Sequence, residues 1–283
     1  MSRPNVFIKA MRDQQWMILG FGVGSALMAA LVLAIYPSYS EALEDFVLPP
    51  ALQAIVGDVD IGTATGFVSV EFFSWIPVLF VVYAIIQGTG ALAGEESSGT
   101  IDILLAQPIS RTRLLVEKSL AIVVGAVAIA ALALPGFVLP YYVMDIEVSL
   151  GGLLVATMAM VPLTLAFAAL ALLAGSVLPT RRDAASTLTA VAVVSYFINS
   201  LGQAADALDP LRPASLFYYY RADRILLEGV DIVGVIVLFS TAAVAATLAG
   251  IAFQRRDMGV VTSEGLLQRI REMVGRLRPL ESP

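Results

Sequence analysis

The chain has 283 residues, 58% of them hydrophobic and 14% charged, with a formal net charge of −6 and a mean hydropathy of +0.85. A soluble domain carries about 25% charged residues, so an apolar excess gathered in long runs points to the bilayer as solvent, and the acidic balance excludes a strongly basic nucleic-acid binder. There is no Cys and no His, which removes disulfides, Cys/His metal sites and thiol or imidazole catalysis.

Lys occurs only at Lys9 and Lys118, an acid-rich, lysine-poor composition that hints at a high-salt or high-GC source. Residues 2–13 form a polar lead in which Phe7, Ile8 and Met11 sit at helical spacing; the pattern predicts an amphipathic helix in the headgroup plane. The apolar run 16–36 is longer than a signal-peptide core and lacks a following A-x-A site, so a first spanning helix is expected. Its Gly20, Gly22 and Gly24 are expected to permit close helix packing.

Residues 37–65 read as a loop with Glu41, Glu44, Asp45, Asp58 and Asp60 and no Lys or Arg. A second span is expected over 66–93, kinked at Pro77. After a polar stretch, 94–118, come spans over 119–143, 149–178 (with Pro162 inside) and 184–203. A tight turn at Asp145 and Glu147 separates the third from the fourth, and a short basic turn, 179–183, separates the fourth from the fifth. The fifth is the most polar, with Thr187, Thr189, Ser195, Asn199 and Gln203. The loop 204–230 carries the aromatic cluster Phe217, Tyr218, Tyr219 and Tyr220, most simply an interfacial belt. The sixth span, 231–253, precedes a polar tail, 254–283. In that tail Leu266, Leu267, Ile270, Met273, Val274 and Leu277 share a stripe opposite Arg269, Arg271, Arg276 and Arg278, the pattern of an in-plane helix on anionic lipid or of a helix docked on a partner protein.

Six spans place both termini on one side. Fourteen of the 17 cations fall on that side: Arg3, Lys9 and Arg12; Arg111, Arg113 and Lys118; Arg181 and Arg182; and the six Arg of the tail. Only Arg212, Arg221 and Arg224 fall opposite. The Lys/Arg bias makes the termini, 94–118 and 179–183 cytoplasmic.

Within 94–118, residues Glu95 to Ala106 fit a short amphipathic helix. Ile101, Leu104 and Leu105 lie at i, i+3 and i+4 on one apolar face. Glu95 and Glu96 fall in its first turn, where negative charge suits the helix dipole. Pro108 stops it and Ser110 caps the next helix. On residues alone, a helix resting on lipid and a helix bearing force are both open. Glu71 and Asp231 are either pathway carboxylates or helix-end acids at the interface; Asn199 and Gln203 either line a pathway or bond between helices.

Glu95, Gly99-Thr100, Leu104-Leu105, Pro108-Ile109-Ser110-Arg111 and Lys118 resemble the signature of ABC-2 type permeases, the membrane subunits of ABC transporters, among them NosY-like and multidrug export permeases. The run Phe253, Gln254, Arg255, Arg256, Asp257 resembles the family's F-x-x-R-D ending, and the layout resembles it over the full chain. The resemblance implies an all-α integral membrane fold, one domain over 1–283, with six transmembrane helices, cytoplasmic termini, an amphipathic N-terminal helix and a short cytoplasmic coupling helix between helices 2 and 3. The aromatic cluster would sit on a short re-entrant helix. It implies the permease subunit of an ATP-driven exporter in the plasma membrane, paired with a second permease copy (identical or similar) above separate ABC ATPase subunits.

In that reading Ile101, Leu104 and Leu105 dock into the ATPase and Glu95 and Glu96 meet its cations. Gly99, Thr100, Pro108 and Arg111 complete the coupling element. Arg111, Arg113 and Lys118 equally suit lipid phosphates, and 181–183 offers a second, minor contact. The chain lacks G-x-x-x-x-G-K-[ST], so ATP and Mg are expected in the partner, and no cofactor, metal or catalytic residue is expected here. Two rivals stand beside this: an ATP-independent carrier, whose mark would be inverted repeats, and an intramembrane enzyme, which would need paired carboxylates or a Ser/Lys pair. Neither mark is found in the sequence.

Overall fold

The computed structural model describes residues 6–44, 59–97, 110–144, 146, 148–205, 207–221 and 224–255. Among these, six helical segments are long and apolar enough to cross a membrane: Val6–Ser40, Ala64–Ala91, Thr112–Val143, Leu150–Val177, Arg181–Gln203 and Ile232–Arg255. These first to sixth spans are the six expected, and no strand occurs among the described residues. The tail's amphipathic stripe lies outside them.

The polar lead is not a separate in-plane helix. One helix of 39 residues runs from Val6 to Glu44, about 58 Å at 1.5 Å per residue, against a hydrocarbon core of about 30 Å. The lead stays helical because its inner face has a partner. Val6 and Gln14 are buried, and the Phe7 N–H donates to the Glu117 carboxylate of the third span at 3.0 Å. An orphan donor of the first turn is thereby satisfied by a charged acceptor. The Gln254 amide reaches the Thr112 hydroxyl at 3.4 Å, so the first span begins and the sixth ends at the same end of the bundle. That end is termed proximal and the opposite end distal.

Prolines set the breaks. In the second span a π-helical turn, Ser69–Phe73, is followed by a turn at Ser74 and Trp75, and the helix restarts at Ile76. The break therefore precedes Pro77, which sits in the first turn of the new helix, where its missing N–H leaves no bond unmade. The fourth span divides at Ala159 in the same manner, with Pro162 in the first turn of Met160–Val177. The third divides at Leu134, ahead of Pro135. Thr157 and Thr164 donate their hydroxyls to the carbonyls four residues back, at 2.7 and 2.8 Å, so the broken helix carries no bare hydroxyl in an apolar setting.

The fourth span is the hub. It packs between the second and the sixth, the first pairs with the third, and the fifth lies at the periphery against the second and fourth. Accordingly 67% of the fourth span's apolar window is buried but only 17% of the fifth's. Small residues let the hub close up. A methyl at Gly88 would stand 2.5 Å from the Ala168 carbonyl oxygen and 2.6 Å from Ala171 Cβ. This is backbone-to-backbone contact, which in lipid must come from packing because no hydrophobic drive acts between helices. Of the three first-span glycines expected to pack, Gly22 does, against Leu132, whereas Gly20 and Gly24 meet nothing within 4 Å. The packing face of that helix is narrower than its glycine content.

Candidate functional site

Toward the distal end, the second span, the fifth span and the loop after it enclose a cavity of about 270 Å³. The loop builds its roof. Asp209–Ala214 and Phe217–Tyr219 form two 3-10 turns, and the segment between them descends along the fifth span to Ser195. Ser195 lies nine residues before Ala204, the end of its helix, about 14 Å down its axis. Two serines make this irregular backbone tolerable. Ser215 Oγ donates to the Ser195 carbonyl at 2.7 Å, Ser195 Oγ accepts the Leu216 N–H at 3.1 Å, and Ser215 Oγ accepts the Phe217 N–H at 3.1 Å. Backbone that is neither helix nor closed barrel survives at such depth only with its groups bonded inside protein. The aromatic cluster is thus a folded-in element rather than a surface belt: Phe217 and Tyr220 are buried, and the Phe217 ring sits 5.5 Å from Phe167 and 5.4 Å from Tyr196.

The cavity wall combines Trp75, Phe73, Phe197 and Phe217 with Asn199, Ser200, Gln203 and Tyr220. Asn199 and Gln203, expected as pathway residues, therefore come together. Glu71 rides on the same π-helical turn as Phe73 but is exposed and forms no part of the wall. Asn199 Oδ1 and the Tyr220 hydroxyl are both buried with no hydrogen-bond partner among the described residues.

A second cavity, of about 350 Å³, lies between the same two spans and shares Trp75, Tyr196, Phe197 and Phe217 with the first. It extends proximally past Val82 and Val193 to Ile86, Ala185 and Thr189. From Trp75 to Ile86 is 11 residues, about 16 Å of helix. Together the two cavities form one groove, polar at its distal mouth and apolar along its length.

At the proximal end, three spans are tied by a buried polar knot. The Tyr83 hydroxyl donates to Gln14 Oε1 at 3.0 Å, and Gln14 Nε2 donates to the Ala121 carbonyl at 2.7 Å. Nothing in the apolar run around Tyr83 marked it, because the partners lie far apart in sequence. Lys118, expected to suit lipid phosphate, is instead buried, and its Nζ donates to the Ala91 carbonyl at 2.7 Å. The bond ties the third span to the second and gives the buried cation a carbonyl acceptor. Arg113 pairs with Glu117 at 2.6 Å, so that carboxylate holds both a guanidinium and the start of the first helix. The Arg181 guanidinium reaches the Ile86 carbonyl at 3.4 Å, an intramolecular contact for the basic turn.

The expected coupling element is only partly described. The second-span helix continues through Glu95 and Glu96 to Ser97, so the two carboxylates sit in its last turn and not in the first turn of a new helix. Gly99, Thr100, Ile101, Leu104, Leu105 and Pro108 lie outside the described residues. Ser110 caps the next helix as expected, its Oγ accepting the Arg113 N–H at 3.2 Å, and Arg111 opens that helix. The opposite-side cations are held locally: Arg212 lies 5.2 Å from the Tyr218 ring centre, and Arg221 and Arg224 both pair with Glu228.

A family model described as the multidrug efflux system permease Rv1217c, C-terminal domain, matches residues 6–254, an interval that takes in the first five spans and all of the sixth but Arg255. Comparison with curated proteins finds no match.

Proposed function

We propose a substrate-moving role from one premise: the chain belongs to the multidrug efflux system permease family represented by that C-terminal domain. It is a multi-pass, all-helical membrane protein. Beyond that, we read it as the ABC-2 type permease subunit of an ATP-driven exporter, with ATP hydrolysed in a separate ATPase subunit. The Lys/Arg bias makes the proximal end cytoplasmic, and the groove between the second and fifth spans is the substrate route.

The observation that carries this reading is continuity. The helix Ile76–Ser97 supplies one wall of the groove and runs on through Glu95 and Glu96, where the coupling stretch begins. A push on that stretch by a closing ATPase displaces the groove wall as a rigid body, with no intervening hinge between Ile76 and Ser97. The fifth span, which supplies the other wall, is the least buried of the six, and a second permease copy would cover it.

Reconstitution with an ABC ATPase subunit from the same source tests the proposal. ATP-driven export should appear only with both chains present. Leu104→Asp should lower ATPase recruitment while leaving the permease folded. Export that persists without any ATPase would return the chain to the ATP-independent carriers.

A further inference from the structure

We propose that the groove binds amphiphiles with a quaternary ammonium head, held at the junction of its two cavities by cation–π contact with Trp75, Tyr196 and Phe197. The inference rests on the groove reading above and names the class of its substrate.

Trp75 of the second span and Tyr196 and Phe197 of the fifth line both cavities, as does the buried Phe217. Unlike Phe217, these three keep open surface: Trp75 is 58% exposed, Phe197 is 53% exposed and Tyr196 is half-buried. Ring centres are 6.3 Å apart for Trp75 and Tyr196, with planes at 38°, and 6.0 Å apart for Tyr196 and Phe197, with planes at 80°. The rings therefore do not cover one another face to face. An interfacial belt does not account for them. Trp75 lies 11 residues beyond Ala64, the distal start of its span, about 16 Å along the helix and below the headgroup level where such belts sit.

The face of an aromatic ring is negative and attracts a cation within about 6 Å of its centre. No Lys or Arg lines either cavity, so none of the lining competes for these faces, and an anion meets no counter-charge there. No Asp or Glu lines them either, which sorts cations by their N–H groups. A primary ammonium brings three donors that need acceptors once it leaves water. A quaternary ammonium brings none, and the rings have only its charge to offset. The distal rim also favours a cation. Arg212 is paired with Asp209, and Arg221 and Arg224 with Glu228. Glu71 stays exposed on the turn whose Val70 and Phe73 line the mouth, and a carboxylate so placed raises the local concentration of cations. The apolar continuation of the groove, with Val78, Val82 and Ile85, takes the tail.

The chain has two tryptophans, Trp16 and Trp75, so the Trp16→Phe protein reports binding through Trp75 fluorescence alone. Two brominated quenchers differ only at the head: the choline ester of 2-bromododecanoic acid, and its 3,3-dimethylbutyl ester, in which carbon replaces the charged nitrogen. In nanodiscs of phosphatidylethanolamine and phosphatidylglycerol, the choline ester should quench saturably with a Kd at least fivefold tighter than its isostere. A cation also gathers at an anionic bilayer, so the decisive comparison changes the ring. Replacing Phe197 by 4-fluoro-, 3,5-difluoro- and 3,4,5-trifluorophenylalanine keeps its shape, and hence the fold, while draining negative charge from its face. The Kd of the choline ester should weaken at each step, at least fivefold over the series, and that of the isostere should stay within twofold. Equal affinities for the two probes would overturn the proposal, as would a choline preference that ignores fluorination. Discs of phosphatidylcholine separate two sources of the same head. A fluorine response lost there marks the lipid as the natural occupant, and one retained there marks a free cation; either keeps the quaternary ammonium as ligand. The assay uses no ATPase. Selective binding without ATP-driven export would sink the transport reading alone, and export with no head-group selectivity would sink this inference alone.

Discussion

Gly125 of the third span and Tyr83 of the second stand so close that a Cβ at Gly125 would overlap the phenolic oxygen of Tyr83. Tyr83 is wholly buried and donates to Gln14 of the first span. One glycine therefore admits the hydroxyl that joins three spans in the proximal half of the bundle.

Gly125→Ala should lower stability by about 1–3 kcal/mol, the usual range for overpacking a filled interior. Tyr83→Phe in the same chain should recover part of that loss, because the overlapping atom is gone. Thermal unfolding midpoints in detergent check this. An additive double mutant would show that the two positions do not share space.

Ser195→Ala should loosen the re-entrant loop. The substitution leaves the half-buried Leu216 N–H without its acceptor, a loss of about 1 kcal/mol. Since the chain has no native Cys, a single cysteine in place of Tyr218 reports the loop's exposure. Maleimide labelling there should be faster in the Ser195→Ala protein than in the parent, and an unchanged rate would contradict the serine clasp.

Glycine substitutions should sort by position. Gly88→Val sets a side chain against the Ala168 carbonyl and should separate the second and fourth spans, with a loss of folded yield. Gly24→Ala meets nothing within 4 Å and should leave the monomer's stability within about 0.5 kcal/mol of the parent. Folded yields that do not separate the two would contradict the packing described for the hub.

Six spans were legible because each is an apolar run near the length a bilayer demands. The polar character of the fifth was legible too, and Asn199 and Gln203 do line the cavity. Boundaries were less so. The lead before Trp16 looked amphipathic, yet its burial against the third span depends on Glu117, more than a hundred residues on. Lys118 read as a surface cation because sequence shows charge and not the carbonyl at Ala91 that receives it. Pro77 was legible as a break, but a proline ends the helix before it and begins the next, so the kink falls at Ser74 and Trp75. The Ser195–Ser215 clasp lies within a loop whose only visible signal was aromatic content. The carboxylates Glu95 and Glu96 suited a helix start by charge, but the second-span helix extends through them to Ser97.

The most direct test of the account closes the groove. Val82 and Val193 line one cavity from opposite spans, and the parent has no thiol to interfere. A Val82→Cys, Val193→Cys protein, joined by a short bifunctional thiol reagent and reconstituted with its ATPase, should lose ATP-driven export of a fluorescent amphiphile. Cleavage of the cross-link should restore it. Export that continues at the parent rate with the two spans joined would contradict the assignment of this groove as the substrate route.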